Sequence, residues 1–80
     1  MKVKIEYLNT AVFTRRIKEA MQNKDLTCET LAEMLDVHAT TVQKWRSGNN
    51  IPTLDMTIGI ADALDVSLDW LTGRKESVAV

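Results

Sequence analysis

The amino-acid sequence predicts an all-α protein built as a bundle of five short helices. Three observations lead there. Apolar residues recur at spacings of three and four along most of the chain, the period of an amphipathic helix. Residues that favour helix starts stand directly before those runs: Asn9 or Thr10, Thr27, Thr53 and Ser67. Alternating apolar and polar residues, the pattern of a strand, are confined to the first eight positions. At 80 residues the chain has room for one domain, and a domain this short is marginally stable alone.

The segment 1–9 is an arm. Val3-Lys4-Ile5-Glu6-Tyr7 alternates but is too short to stand as a strand by itself. It reads as a disordered arm, as an edge strand in a dimer, or as a frayed terminus. Helix 1 is expected over 10–23, with Phe13, Ile17, Ala20 and Met21 as its inner stripe. Arg15, Arg16, Lys18 and Glu19 fall off that stripe. Helix 2 spans about 28–35, capped by Thr27, with Leu31, Met34 and Leu35 inward. Asp36-Val37 make the turn. Helix 3 covers 38–46, with Val42 and Trp45 facing in and Ala39, Thr40, Gln43 and Lys44 facing out. Ser47-Gly48 stop it, and 49–52 is a loop.

Helix 4, about 54–64, carries Leu54, Ile58, Ala61 and Leu64, with Met56 and Ile60 as a second apolar flank. Gly59 in its middle costs ~1 kcal/mol relative to alanine, which points to a close approach by another helix. A last short helix, 68–72, is closed by Gly73, and 74–80 is a tail. The bundle domain is therefore 10–73.

The formal net charge is -1, low for a partner of nucleic acid, yet the charges are segregated. Residues 1–24 hold six bases against two acids, while residues 47–73 hold four acids and no base. A basic face is compatible with a neutral total, because phosphates respond to the local field. Cys28 is the sole cysteine, which excludes an internal disulfide and a Cys/His zinc site and suits a reducing cytoplasm. No run reaches the ~18 apolar residues of a membrane span. No nucleophile–base or metal-ligand constellation appears, so an enzyme is not expected, nor a cofactor or small-molecule ligand.

Helices 2 and 3, joined by a tight turn, have the dimensions of a helix-turn-helix. A major groove about 12 Å wide admits one helix whose outer side chains are short and polar. Gln43 suits adenine, Lys44 suits guanine, and Ala39 and the Thr40 methyl suit a thymine methyl.

Residues 16–73 also resemble the repressor/Cro domain of lambdoid phages and its bacterial relatives, the XRE family. Leu31-Ala-Glu-Met-Leu-Asp-Val37 resembles that family's second helix and turn. Thr41-Val-Gln-Lys-Trp-Arg-Ser-Gly48 with Pro52 resembles its third helix and loop, and Ala61-Asp-Ala-Leu-Asp-Val-Ser-Leu-Asp-Trp-Leu71 its last helix junction. The resemblance implies a lambda-repressor-like bundle and a transcriptional regulator of prophage-repressor or Cro type. It implies base-facing His38, Ala39, Thr40 and Lys44, with Gln43 and Thr41 beside them, and phosphate contacts at Thr27, Cys28, Ser47, Asn49 and Asn50.

Three departures matter. Asp36 stands where the turn usually has glycine. Met21 and Arg46 stand where relatives often pair Arg with Glu, which frees Arg46 for a phosphate. The loop before Pro52 lacks Lys and Arg, which predicts a shallow salt dependence.

A module this small is expected to bind a palindromic operator on double-stranded DNA as a homodimer, through Val66, Leu68, Leu71 and Val78. The alternative is a protein-interaction module, such as the antitoxin of a toxin–antitoxin pair. Simpler readings apply elsewhere. His38 is a start-of-helix residue near the DNA rather than a pH switch, and Cys28 an incidental surface thiol rather than a redox sensor. Trp45, Trp70, Met21, Met34 and Met56 are core filler, and Asp62, Asp65 and Asp69 a solvated acidic face.

Overall fold

A computed structural model describes residues 1–5 and 7–76. Five helices follow in order: α1 (Thr10–Asn23), α2 (Cys28–Leu35), α3 (Ala39–Ser47), α4 (Leu54–Leu64) and α5 (Leu68–Leu71). Four of the starts have a side-chain cap. The side chains of Asn9, Thr27, Thr53 and Ser67 accept from the amides of Val12, Thr30, Met56 and Trp70 at 3.0–3.2 Å. These are amides that a helix cannot satisfy by itself. His38 is the cap of α3 rather than its first residue, and it makes no side-chain cap bond.

The helix ends are equally local. Gly48 closes α3 in the left-handed region (φ 82°). Aspartates occupy that region at the ends of α2 and α4, Asp36 and Asp65, both at φ 57°. Among residues with a side chain, Asp is one of the few that enter this conformation readily.

α1 lies against α3 and α5, α2 against α3 and α4, and α4 against α5. The enclosed core is led by Phe13, Ile17, Leu31, Val42, Ile60, Leu64 and Leu71, none more than 1% exposed. Trp45 and Trp70 are buried with them. Gly59 does sit at a close approach: a β-carbon there would stand 3.2 Å from Leu35 Cδ2.

Four expectations are corrected. On α4 the buried stripe is Thr57, Ile60, Ala61 and Leu64, while Leu54 and Ile58 are exposed (73% and 42%). Burying Thr57 is inexpensive because its hydroxyl donates to the Thr53 carbonyl at 2.7 Å. Met34 lies outside the core, 54% exposed.

Arg16, off the apolar stripe by sequence, is buried. Its guanidinium donates to the carbonyl of Trp70 and, at 2.8 Å, to that of Lys75. It also lies 5.1 Å from the centre of the Trp70 ring and 3.5 Å from Glu76. Cys28 is a buried thiol, not a surface one.

The arm has no strand among its described residues, and Val3, Ile5 and Tyr7 are largely exposed. Leu8 packs against the core. A cavity of about 540 Å³ lies where Tyr7, Leu8 and Asn9 pass Thr72, Gly73 and Arg74. On the acidic side, Asp65 and Asp69 pair with Lys24 and Lys75 at 3.6 and 3.5 Å. No helix among the described residues is long and apolar enough to cross a membrane.

Candidate nucleic-acid interface

The site is built on α2, its turn and α3. The Val37 amide donates to the Ala32 carbonyl at 3.0 Å and the Asp36 amide to Glu33 at 3.3 Å. This pair of bonds ends α2 and redirects the chain within two residues. His38 is extended, and its carbonyl accepts from Thr41 at 2.9 Å as α3 begins. Val42 and Trp45 pin the inner side of α3 to the core.

That anchoring leaves Thr40, Gln43, Lys44 and Ser47 exposed along one face, with His38 exposed ahead of them. The spacing of three and four makes this a continuous polar row. Ala39 is half-buried and packs against the core, and Thr41 is half-buried on the flank. The row therefore offers a hydroxyl, an amide and an ammonium of graded reach, suited to base edges in a groove.

The flanks hold the residues expected at phosphates. Thr27 is exposed at the start of α2, and its hydroxyl is occupied by the cap and by the Thr30 hydroxyl at 2.9 Å. The Cys28 and Glu29 amides of that first turn have no hydrogen-bond partner among the described residues. The Cys28 side chain faces inward, so only its backbone is available to an anion. Asn49 and Asn50 are exposed, and their amides close on the Lys44 carbonyl at 3.0 and 3.3 Å. The Ser47 hydroxyl donates to the same carbonyl at 3.1 Å.

Arg46 differs from the free side chain expected of it. It is half-buried and donates to Cys28 Sγ at 3.1 Å, tying the end of α3 to the start of α2. Its Nε is buried without an acceptor. Beside it, Lys18, Gln43, Arg46 and Ser47 line a shallow cleft of about 180 Å³ between α1 and α3.

The expected dimer surface is divided. Val66 and Leu71 are core residues, 5% and 0% exposed, and cannot meet a partner. α5 is four residues long, and its inward side is filled by Trp70 and Leu71. The Val66 amide is drawn in by the Ala61 carbonyl at 3.0 Å. Leu68 remains partly exposed at 37%, and Val78 lies outside the described residues.

Fold and site together define a five-helix module built around a helix-turn-helix. The chain belongs to the helix-turn-helix family of the phage-repressor (XRE) type, which matches residues 17–71. It is similar to the cryptic phage CTXphi transcriptional repressor RstR of Vibrio cholerae serotype O1, 35% identical over 63 residues, covering 74% of this chain and 56% of that protein. It is similar to the HTH-type transcriptional activator BcrR of Enterococcus faecalis, 31% identical over 68 residues, covering 85% of this chain and 33% of that protein. The chain thus spans about half or less of these curated relatives. Among solved structures it resembles that of the SOS-response transcriptional repressor LexA from Eubacterium rectale. The TM-score is 0.75 at 19% identity, over 86% of this chain and 73% of that one, a likeness of fold.

Proposed function

We propose that the chain is a sequence-specific DNA-binding transcriptional regulator of prophage-repressor type, acting in the cytoplasm without catalysis. The observation that supports it is the polar row Thr40, Gln43, Lys44 and Ser47, held outward on a helix pinned from behind by Val42 and Trp45. In this reading α3 lies in the major groove. Lys44, Gln43, Thr40 and His38 meet base edges, while Ala39 lies at the margin beside a thymine methyl. Thr41, Asn49, Asn50 and the amides at Cys28 and Glu29 meet the backbone. Repression follows from occupying an operator.

Two copies bind two half-sites one helical turn apart, because one module of this size reads only a few base pairs. With Val66 and Leu71 in the core, the contact between copies falls to Leu68 among the described residues.

The test is selection from a random duplex library followed by a salt series. A palindromic consensus whose binding weakens with salt supports the proposal. Lys44→Ala is expected to cost about 1–3 kcal/mol on the selected sequence and relax preference at one position. Thr40→Ala acts in the same direction. Unchanged affinity and preference in both variants would sink the α3 assignment.

The slight negative charge and the loop without Lys or Arg favour a second reading, an interaction module that holds a partner protein. A chain that shows no selection at low salt but co-purifies with a neighbouring gene product would establish it.

A further inference from the structure

We propose that residues 3–7 are a dimerisation strand, which pairs antiparallel with the same segment of a second copy in a register centred on Ile5. The proposal rests on the regulator reading only for the use of that dimer, and its test needs no DNA.

The arm is patterned as a strand and has nothing to pair with in its own bundle. By the period of two, Val3, Ile5 and Tyr7 fall on one face, and Lys4 and Glu6 on the other. Glu6 lies outside the described residues and enters by its place in the sequence alone. Val3, Ile5 and Tyr7 are 80%, 72% and 91% exposed, an apolar face that the bundle does not cover. No amide of the arm donates to another backbone group among the described residues. The described elements are all helices, and none offers a strand edge. An extended segment with open amides and carbonyls finds its complement in another extended segment.

The sequence of the arm selects itself as that complement. In antiparallel pairing about Ile5, Ile5 meets Ile5, Val3 meets Tyr7 and Lys4 meets Glu6, the last two each occurring twice. One face then carries β-branched and aromatic pairs, and the other carries opposite charges, all of kinds that stabilise a sheet. Neighbouring registers lose this match. A register centred on Lys4 sets Lys4 against itself, and one centred on Glu6 sets Glu6 against itself. A half-step sets polar residues against apolar ones.

A two-stranded ribbon alone is marginal in water, so the bundle must support it. Leu8 packs against the core and the Asn9 side chain caps α1, so each arm leaves its bundle from a fixed root. Val3 of the second copy comes beside Tyr7, which lines the cavity of about 540 Å³ with Leu8, Thr72 and Gly73, and the cavity has room for it. The two Leu8 roots stand about 20 Å apart, roughly six residues at ~3.4 Å each. That is close to the shorter dimensions of the chain, 24 and 20 Å, so two bundles fit side by side. Leu68, 37% exposed, is by itself a small contact against the ~800 Å² per copy of a standard interface, and the arms add to it.

The test is sedimentation equilibrium at low salt, without DNA, on the parent chain and on Lys4→Glu, Glu6→Lys, Lys2→Glu and Ile5→Asp. Lys2, Lys4 and Ile5 are exposed, and thermal melts will verify that every variant keeps the fold. Lys4→Glu and Glu6→Lys each set like charges opposite one another, and each alone is expected to weaken dimerisation roughly tenfold. Mixed in equal amounts, the two form a preferred mixed dimer of about parent affinity, because each supplies the charge the other lacks. Lys2→Glu, which falls opposite Leu8, dimerises as the parent does and forms no preferred mixed dimer with Glu6→Lys. Ile5→Asp is monomeric where the parent is dimeric. A parent chain that stays monomeric to millimolar concentration would overturn the proposal and leave DNA recognition by α3 standing. A dimer indifferent to Lys4→Glu and Ile5→Asp would put the contact elsewhere and overturn it too. So would a mixture of Lys4→Glu and Glu6→Lys that dimerises no better than either alone.

Discussion

Replacing Arg16 by methionine isolates the tie between α1 and the segment after α5. The substitution keeps an apolar stem of similar reach and removes the guanidinium. What is lost is a charged donor to the carbonyls of Trp70 and Lys75 and the stacking on the Trp70 ring. A hydrogen bond from a charged group is worth ~1.5–3 kcal/mol, and a part-desolvated cation–π contact about 1. The Lys75 carbonyl regains water in the variant, which returns part of one bond. The Glu76 carboxylate is almost wholly exposed, so its pair adds little. The net loss is therefore about 2–3 kcal/mol, against a total of roughly 4–12 kcal/mol for a chain this size. Urea unfolding followed by far-ultraviolet circular dichroism measures it directly. The midpoint should fall with little change in slope, and Tm should drop by roughly 10–20 °C. Arg16→Lys, which keeps the charge but not the fork, should recover less than half. A loss below about 0.5 kcal/mol in Arg16→Met would refute the reasoning, since the buried guanidinium would then contribute nothing beyond its stem.

Other outcomes follow from single observations. Gly59→Ala gains ~1 kcal/mol of helix propensity, and half-buried Leu35 can yield the few tenths of an ångström its Cδ2 requires, so a net stabilisation of about 0.5 kcal/mol is expected in thermal unfolding. Asp36→Asn keeps a residue tolerant of the left-handed region and removes a negative charge from the end of α2, for a gain of ~0.3–1 kcal/mol that should shrink in high salt. Cys28, shielded by burial and by Arg46, should react with a bulky disulfide reagent only as fast as the domain opens; rapid labelling of the native chain would contradict its placement.

Much of this architecture is legible because its causes are local. Asn9, Thr27, Thr53 and Ser67 act on amides three residues away, and Gly48 on its own backbone, so helix bounds agree to about one residue. The outward face of α3 is legible for the same reason, since Val42 and Trp45 leave one side for solvent. What escapes depends on distant partners. Arg16 is buried because carbonyls 54 and 59 residues along the chain receive it. α4 is apolar on several sides, so periodicity does not choose between Leu54 with Ile58 and Thr57 with Ile60; its contacts with α2 and α5 do. Val66 and Leu71 look like a free apolar surface until the junction folds inward, with Val66 drawn to Ala61 and Leu71 on the buried side of α5. The cleft needs Lys18 and Arg46 together, which only the α1–α3 packing provides.

The cavity bounded by Tyr7, Leu8 and Asn9 on one wall and Thr72, Gly73 and Arg74 on the other has a topological consequence. The chain enters and leaves the bundle at one place, so the path from residue 9 to residue 73 is nearly a ring. A short linker across that gap closes it. A closed ring has no privileged starting point. Opened at the exposed Lys24–Asp25 bend, it begins with α2 and α3 and ends with α1. The helix-turn-helix pair would then leave the ribosome first and wait for its supporting helix. Order of synthesis and three-dimensional form are separable in this bundle, and the order in which its helices must assemble becomes a question that a permuted gene can answer.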